Sequence, residues 1–346
     1  MSMSNLQMGL AIAGGLVLLA MGLHGAWTFR KNLPRQASPD EPHSQFDING
    51  VVEPGFDPAA FDGKKFTLPS TDKKPSMDSL IDVIATIALE SPASGDVALA
   101  AMPATRRVGS KPLAIEGLNE VGQHWEIPLP GQRYTTFQAG VQLANRSGAL
   151  NDIEYSEFVV KTQTFCDAVN GTPDFPEMRE QVARARELDQ FASDHDAQLC
   201  FVLRAINASW SPGYVQQRAA RFGFIPGVIP GRLVIPAGQP GLPPILSMNF
   251  DTQAAIAEDP ALSAIRELVI SLDVAQVSRS EEPFVRMREA LSSLAESMEG
   301  VVTDDNCLPL PIEAMDVIAA ELNLLYDTLD RRDLSAGSVL ARRLFS

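Results

Sequence analysis

The hydrophobic pattern changes twice along the 346 residues of this chain. Residues 8–29 are almost continuously apolar and residues 30–76 show no sustained period, whereas later apolar positions recur with a period of 2 or 3.6. These periods predict strands at residues 80–89, 111–118, 124–128, 134–144, 198–206, 232–236, 245–250, 268–274 and 301–303. They predict helices at residues 95–102, 154–169, 176–191, 211–222, 253–257, 283–298 and 311–329.

The order of these elements predicts an α+β fold, with antiparallel sheets that carry helices on one face. Residues 77–196 and 197–332 show a similar order: a strand, a helix, several strands, a helix that begins near Tyr155 or Phe284, and a last helix. This order indicates two tandem copies of one α+β unit, and the alternative is a single larger sheet layered with helices. Residues 333–346 follow the last predicted helix and are interpreted as a C-terminal tail.

The apolar run at residues 6–29 is long enough to cross a membrane, since a bilayer core takes about 20 helical residues. Its flanking positive charge, from Arg30, Lys31 and Arg35, lies only on the C-terminal side. Because positive charge favours the cytoplasmic side, we expect a single-pass anchor with residues 1–5 outside and the rest of the chain in the cytoplasm. A cleaved signal peptide is the alternative, but such peptides begin with positive charge.

Residues 30–76 are predicted to be a flexible linker. Prolines and scattered charges interrupt them, and their phenylalanines are isolated. A short docking motif at residues 51–61 is the alternative role for these aromatic side chains. The glycines of the anchor, Gly14, Gly15 and Gly22, would allow close helix contact, so self-association stays open.

Composition and motifs favour binding over catalysis. The formal net charge is −15, and an acidic chain repels phosphate backbones, so no nucleic-acid partner is expected. Cys166, Cys200 and Cys307 lie far apart and the histidines are isolated, which predicts no metal site. No nucleophile elbow, phosphate-binding loop or dinucleotide fingerprint occurs. We therefore expect no catalytic residues, no cofactor and no enzymatic activity.

Both ends of the chain carry stretches that are similar to one known family. The segment GLHGAWTFRKN at residues 22–32 is similar to a His-Gly-aromatic-Thr pattern followed by basic residues. The segment MEGVVTDDNCLPLPIEAMDVIAAEL at residues 298–322 resembles a strand, an acidic turn and a closing helix, and residues 245–253 and 268–276 resemble sheet strands. These stretches, and the order of anchor, linker and C-terminal domain, are similar to those of the ZipA family. Its members are bacterial inner-membrane proteins that tether the tubulin-like division protein FtsZ.

The resemblance covers the anchor and about residues 198–329, and residues 77–196 are additional. It implies a split β-α-β domain whose open sheet face holds a shallow apolar groove for the C-terminal peptide of FtsZ. The chain is then expected to act in cell division and septum formation at the inner membrane, where it tethers and stabilises FtsZ filaments by avidity. Two alternatives stay open: a membrane-anchored scaffold for another envelope protein, and an enzyme without a local motif.

Strand alternation together with this resemblance gives a set of groove residues. In the strand at residues 268–274, the aliphatic even-numbered positions are expected in the core, which turns Val269 and Ser271 outward. The resemblance assigns Met248 and Phe250 to the groove, and the hydrophobic core is the alternative for both. At position 271 the family tends to carry an aromatic residue. The expected groove comprises Val202, Arg204, Arg232, Val234, Met248, Phe250, Val269 and Ser271, whose two arginines are expected to pair with acidic residues of the peptide.

Overall fold

The computed structural model describes residues 34–37, 77–259, 263–304 and 308–346, which form two compact units. The first unit comprises residues 77–197 with Leu325–Ser346, and the second comprises residues 34–37 with Gln198–Leu324. The predicted anchor and most of the predicted linker lie outside the described residues. Within the described ranges, no helix is both long enough and apolar enough to span a membrane.

Both units contain strands and helices. The strands are β1 (Asp82–Ser94), β2 (Arg107–Val108), β3 (Lys111–Asn119), β4 (Trp125–Glu126), β5 (Arg133–Gln142), β6 (Ala144–Asn145), β7 (Gly148–Ala149), β8 (Gly171–Asp174), β9 (Gln198–Ala205), β10 (Ile225–Pro226), β11 (Arg232–Ile235), β12 (Leu246–Asn249), β13 (Glu267–Asp273) and β14 (Gly300–Thr303). The helices are α1 (Gly95–Ala101), α2 (Asp152–Val169), α3 (Met178–His195), α4 (Pro212–Ala220), α5 (Thr252–Ile256), α6 (Pro283–Met298), α7 (Ile312–Asp330) and α8 (Val339–Leu344). The predicted α+β class with antiparallel sheets is confirmed, because every predicted strand and helix overlaps one of these elements.

The core of the first unit lies between one face of its sheet and α2. The strands follow the order β2-β3-β5-β1-β8, with β4 paired to β3. β1 turns Val83, Ala85 and Ile87 inward, and all three are fully buried. Phe165 of α2 packs edge-on against Phe137 of β5, with ring centroids 5.2 Å apart. The alternation along β1 therefore places one face of this sheet in the core.

The second unit has a sheet of the order β10-β11-β12-β13-β9-β14. Phe201 and Leu203 of β9 point inward and are buried. Met287, Leu291 and Leu294 of α6 are buried at helical spacing. Since α6 contacts β9, β13 and β14, its apolar stripe covers the inward face of these three strands.

Helix α4 begins as the sequence predicts. The Ser211 hydroxyl caps it by accepting a hydrogen bond from the Tyr214 N–H at 3.2 Å, and Pro212 occupies the first helical position. The helix ends at Ala220, two residues earlier than predicted. Gly223 has a φ of +83°, a left-handed conformation that glycine adopts easily as the chain turns away.

The same connectivity occurs in both units. In the first unit, α2 joins β5 to β8, and these two strands flank β1 on either side. In the second unit, α6 joins β13 to β14, which flank β9 in the same way. Each flanking strand pairs antiparallel with the strand between them. The two units thus share an order of strands and long helices, although their sequences differ.

The short strands β2, β7, β8 and β10 were not predicted, and two other segments also differ from the sequence-based expectation. For the edge strand β8, the reason is that four residues that include Gly171 and Pro173 carry too little pattern, and proline is tolerated at a sheet edge. Residues 34–37 fall within the predicted linker, yet they hydrogen-bond to the second unit. The predicted tail at residues 333–346 contains α8 instead, with Leu344 and Phe345 buried in the first unit.

Candidate partner-binding surface

The second unit has a sheet face opposite to its core face, and strand register determines which residues share it. Thr303 lies opposite Val202, and Val202 lies opposite Val269. Val269 lies opposite Asn249, which lies opposite Arg232. One row of side chains therefore crosses five strands, with two adjacent valines at its centre and polar residues at its ends.

A second row runs parallel to the first on the same face. Cys200 lies opposite Ser271, and Ser271 lies opposite Ser247. Ser247 lies opposite Val234, which lies opposite Ile225. These two rows, together with Arg204 and Glu267, are called the outer face. Most of its residues are at least partly exposed, whereas the alternate positions of β9 and β13 are buried.

Charge on the outer face is unevenly compensated. The Arg204 guanidinium lies 2.9 Å from the Glu267 carboxylate, which neutralises it. Arg232 donates from Nη2 to the neutral Ser247 hydroxyl at 3.1 Å. Within the described ranges, no carboxylate forms an ion pair with Arg232, and its buried Nε has no hydrogen-bond partner. Arg232 is therefore the position on this face that retains uncompensated positive charge.

An open cavity continues the outer face at the ends of β12 and β13. Its volume is about 490 Å³, and Asn249, Glu267 and Val269 of the outer face form part of its wall. Phe250 and Ile265 contribute apolar surface to the same wall. A partner lying along the row of Val202 and Val269 would have this recess beside Val269 and Asn249, where a side chain can enter.

The structure places six of the eight residues predicted for the groove on the outer face and one in the wall of the adjoining cavity, and it separates only Met248 from them. Val202, Arg204, Arg232, Val234, Val269 and Ser271 all belong to the outer face. Met248 lies opposite Ile270 and Leu233, is fully buried, and belongs to the core. The assignment of Met248 to the groove is wrong, because the pairing of β12 with β13 turns Ser247 and Asn249 outward instead. Phe250 is mostly buried, with 8% of its surface exposed, and it lies in the wall of the adjoining cavity.

Six residues of this face were not predicted from the sequence: Ser247, Asn249, Thr303, Cys200, Ile225 and Glu267. Alternation along β12 would have identified the first two once Met248 was placed in the core. The position of Thr303 follows only from the pairing of β14 with β9, two strands that lie far apart in the chain. Thr303 also donates its hydroxyl to the Val202 carbonyl at 3.4 Å, so it closes the edge of the valine row.

The corresponding face of the first unit has a different chemistry. Asp174 lies opposite Thr86, Thr86 opposite Gln138, and Gln138 opposite Glu116. Gln138 also donates a hydrogen bond to the Glu116 carboxylate at 2.9 Å. This row carries two carboxylates where the second unit carries valines and an arginine, so it does not suit an apolar or acidic partner.

A buried polar cluster in the first unit is the strongest feature outside the outer face. Lys111 is fully buried and donates from Nζ to the Ser110 hydroxyl at 2.7 Å and to the Asn145 side-chain oxygen at 3.1 Å. Burial lowers the pKa of this ammonium group. Ser110 donates in turn to Glu154, whose carboxylate completes the capping box of α2 with Asn151. Each partner in this cluster has a structural role, so the cluster braces the start of α2.

Neither metal-binding side chains nor similar proteins indicate what the outer face binds. No three or more His, Cys, Asp or Glu side chains are grouped to hold a metal ion anywhere in the described parts of the chain. The chain matches no family model, and no curated protein is significantly similar to it in sequence. The outer face and the sequence pattern are therefore the features of this chain that indicate a function.

Proposed function

We propose that this chain is a membrane-anchored cell-division protein that binds the C-terminal peptide of FtsZ on the outer face of the second unit. Binding would tether FtsZ filaments at the cytoplasmic side of the inner membrane. The observation that carries the proposal is the row formed by Val202, Val269 and Arg232, an apolar strip with an uncompensated cation at one end. The resemblance to the ZipA family, drawn from the anchor and from residues 198–329, points to the same face.

The finer fold assignment belongs to this proposal. In both units a long helix joins two strands that flank the first strand, which is the connectivity of a split β-α-β fold. We assign the second unit to the fold of the ZipA C-terminal domain and the first unit to a degenerate tandem copy. The acidic row of Asp174, Thr86, Gln138 and Glu116 explains why the copy would have lost peptide binding.

The chemistry of the outer face suits a short peptide of mixed character. A few apolar anchors usually carry most of the affinity of such a contact, and the two central valines with Ile225 and Val234 supply them. Arg232 offers a partner for an acidic residue, which contributes more to orientation and association rate than to affinity. The modest affinity of one such contact is offset by avidity, because a filament presents many copies of the peptide to an anchored array.

The proposal is tested by fluorescence anisotropy with a labelled FtsZ C-terminal peptide and the full chain in lipid nanodiscs. Val202→Glu and Val269→Glu place charge at the centre of the apolar row, and we expect each to weaken binding by about tenfold or more. Ala88→Glu is the matched control, because Ala88 is exposed on the equivalent face of the first unit. Circular dichroism checks that each variant stays folded.

Three outcomes separate the alternatives. Loss of binding in both valine variants but not in the control supports the function and its site. Equal binding by all four chains contradicts the site on the second unit. No saturable binding by the unchanged chain contradicts the FtsZ function, in favour of a scaffold for another envelope protein.

A further inference from the structure

A short segment that follows the predicted anchor is docked on the second unit. The Arg35 N–H donates to the Ser209 carbonyl at 2.8 Å, and the Ser211 N–H donates to the Arg35 carbonyl at 2.9 Å. These bonds form a parallel bridge between Arg35 and Trp210. Trp210 also forms an antiparallel bridge with Ile265, through two backbone hydrogen bonds of 2.8 Å. Residues 34–37 therefore extend a small ladder of the second unit by one strand-like segment.

Side chains reinforce this backbone contact. The Arg35 guanidinium lies 2.5 Å from the Glu299 carboxylate, and this hydrogen bond lowers the pKa of Glu299. Glu299 follows α6 in a left-handed conformation with a φ of +52°, so its side chain is held at a fixed point of the chain. The preceding residue, Met298, accepts a hydrogen bond from the buried Trp210 indole at 2.9 Å. The ladder and the ion pair are thus both fixed at the end of α6, where Met298 binds Trp210 and Glu299 binds Arg35.

The last residue of the segment contacts the start of α4. A Cβ built on Gly213 would lie 4.0 Å from the Cβ of Ala37, an ordinary van der Waals distance. Pro34, at the other end of the segment, is buried. Contacts at both ends and in the middle of residues 34–37 show that the whole segment follows the surface of the second unit.

We propose that residues 34–37 form a strap that holds the second unit close to the membrane. This inference depends on the anchor in the proposed function, and not on FtsZ binding. With the strap docked, residues 30–34 alone separate the predicted anchor from the second unit, and five extended residues reach at most about 18 Å. Release of the strap would leave the second unit joined to the predicted anchor only through residues 30–76 and the first unit, and a flexible chain as long as residues 30–76 would have a root-mean-square length of about 40 Å. The strap would therefore set how far the peptide-binding unit can reach from the bilayer.

Disulfide trapping in the full chain tests the docking. A disulfide needs Cβ atoms roughly 3.5–4.5 Å apart, so Ala37→Cys with Gly213→Cys should cross-link rapidly under mild oxidation. Cys200→Ser and Cys307→Ser remove competing thiols, and peptide mapping identifies the bond. Ala37→Cys with Gly238→Cys is the matched control, because Glu281 is the only described residue with an atom within 4 Å of a Cβ at Gly238. We expect the first pair to cross-link at least tenfold faster, and equal rates for the two pairs would overturn the proposal.

Charge reversal tests the strap without new thiols at its surface. Glu299→Arg places two cations together and should release the segment, and Arg35→Glu combined with Glu299→Arg should restore the ion pair. Energy transfer from a donor on the exposed Cys200 thiol to acceptor lipids in nanodiscs reports the distance of the second unit from the bilayer. The single variant should lower the transfer and the double variant should recover it. Unchanged transfer in the single variant would show that the segment does not set the reach, whatever the result of the FtsZ peptide titration.

Discussion

Ser271 lies directly opposite Ser247 in the pairing of β12 with β13, so two small hydroxyl side chains meet on the outer face. They lie next to the row of Val202 and Val269, where a larger side chain would add apolar surface. The ZipA family tends to place an aromatic residue at position 271. The outer face of this chain therefore carries less apolar surface at its centre than the resemblance implies.

Replacing Ser271 with phenylalanine should strengthen peptide binding. An aromatic contact typically contributes about 1 kcal/mol beyond the effect of the area it buries, and a gain of this size lowers the Kd about fivefold. Titration of the labelled FtsZ peptide against the full chain measures this change. Thr86→Phe, at the corresponding face of the first unit, is the control and should leave the Kd unchanged. Weaker binding by Ser271→Phe would indicate that the peptide needs the space above Ser271.

Removal of Arg343 should destabilise the first unit strongly. Arg343 forms two hydrogen bonds with the buried carboxylate of Asp82, at 2.5 and 2.9 Å, and joins the C-terminal segment to β1. Because Arg343→Met leaves that carboxylate buried without its cation, we expect a loss of about 3–5 kcal/mol in the free energy of unfolding. Urea denaturation measures it. Arg133→Met removes an exposed pair with Glu120 and should cost less than about 1 kcal/mol.

A double substitution separates the ion pair from the packing of the C-terminal segment. If the loss in Arg343→Met arises from an unpaired buried carboxylate, Asp82→Asn in the same chain should recover a large part of it. If the double variant is no more stable than Arg343→Met, the aliphatic part of the arginine, and not its charge, holds the segment in place.

The stability of the first unit should fall as the pH rises from about 9 to about 11. Burial raises the pKa of the Cys166 thiol from its usual 9.0 to about 11 in the folded chain. In this interval the unfolded chain releases the thiol proton and the folded chain keeps it, so stability is full below the lower value and is lost as pH rises through the upper one. Cys166→Ala should remove this part of the pH dependence. An unchanged slope between pH 9 and 11 in urea denaturation would contradict the prediction.

The alternation of apolar and polar residues predicted the outer-face residues of a strand with a clear pattern. It gave the wrong face where only the pairing with a neighbouring strand determines which way a side chain points. In β13 the aliphatic even-numbered positions turn Val269 outward without further information. β12 has four residues, and only its register against β13, with Met248 opposite Ile270, assigns Met248 to the core. The contact of Thr303 with Val202 joins strands about a hundred residues apart, which no local period contains. The edge strand and the C-terminal helix were missed for the same reason, because their positions depend on distant partners.

The two arginines of the outer face should contribute unequally to peptide binding. Glu267 already neutralises Arg204, whereas no carboxylate within the described ranges pairs with Arg232. For an acidic peptide, Arg232→Gln should therefore lower the association rate severalfold at low salt and flatten its dependence on ionic strength. Arg204→Gln combined with Glu267→Gln is the matched control, and it should change the association rate less, because it removes a neutralised pair and leaves the net charge of the face unchanged. Stopped-flow anisotropy at low and high salt measures both rates. Equal effects of Arg232→Gln and the double variant would mean that the peptide displaces Glu267 from Arg204, and a larger effect of the double variant would place the acidic end of the peptide beside β9.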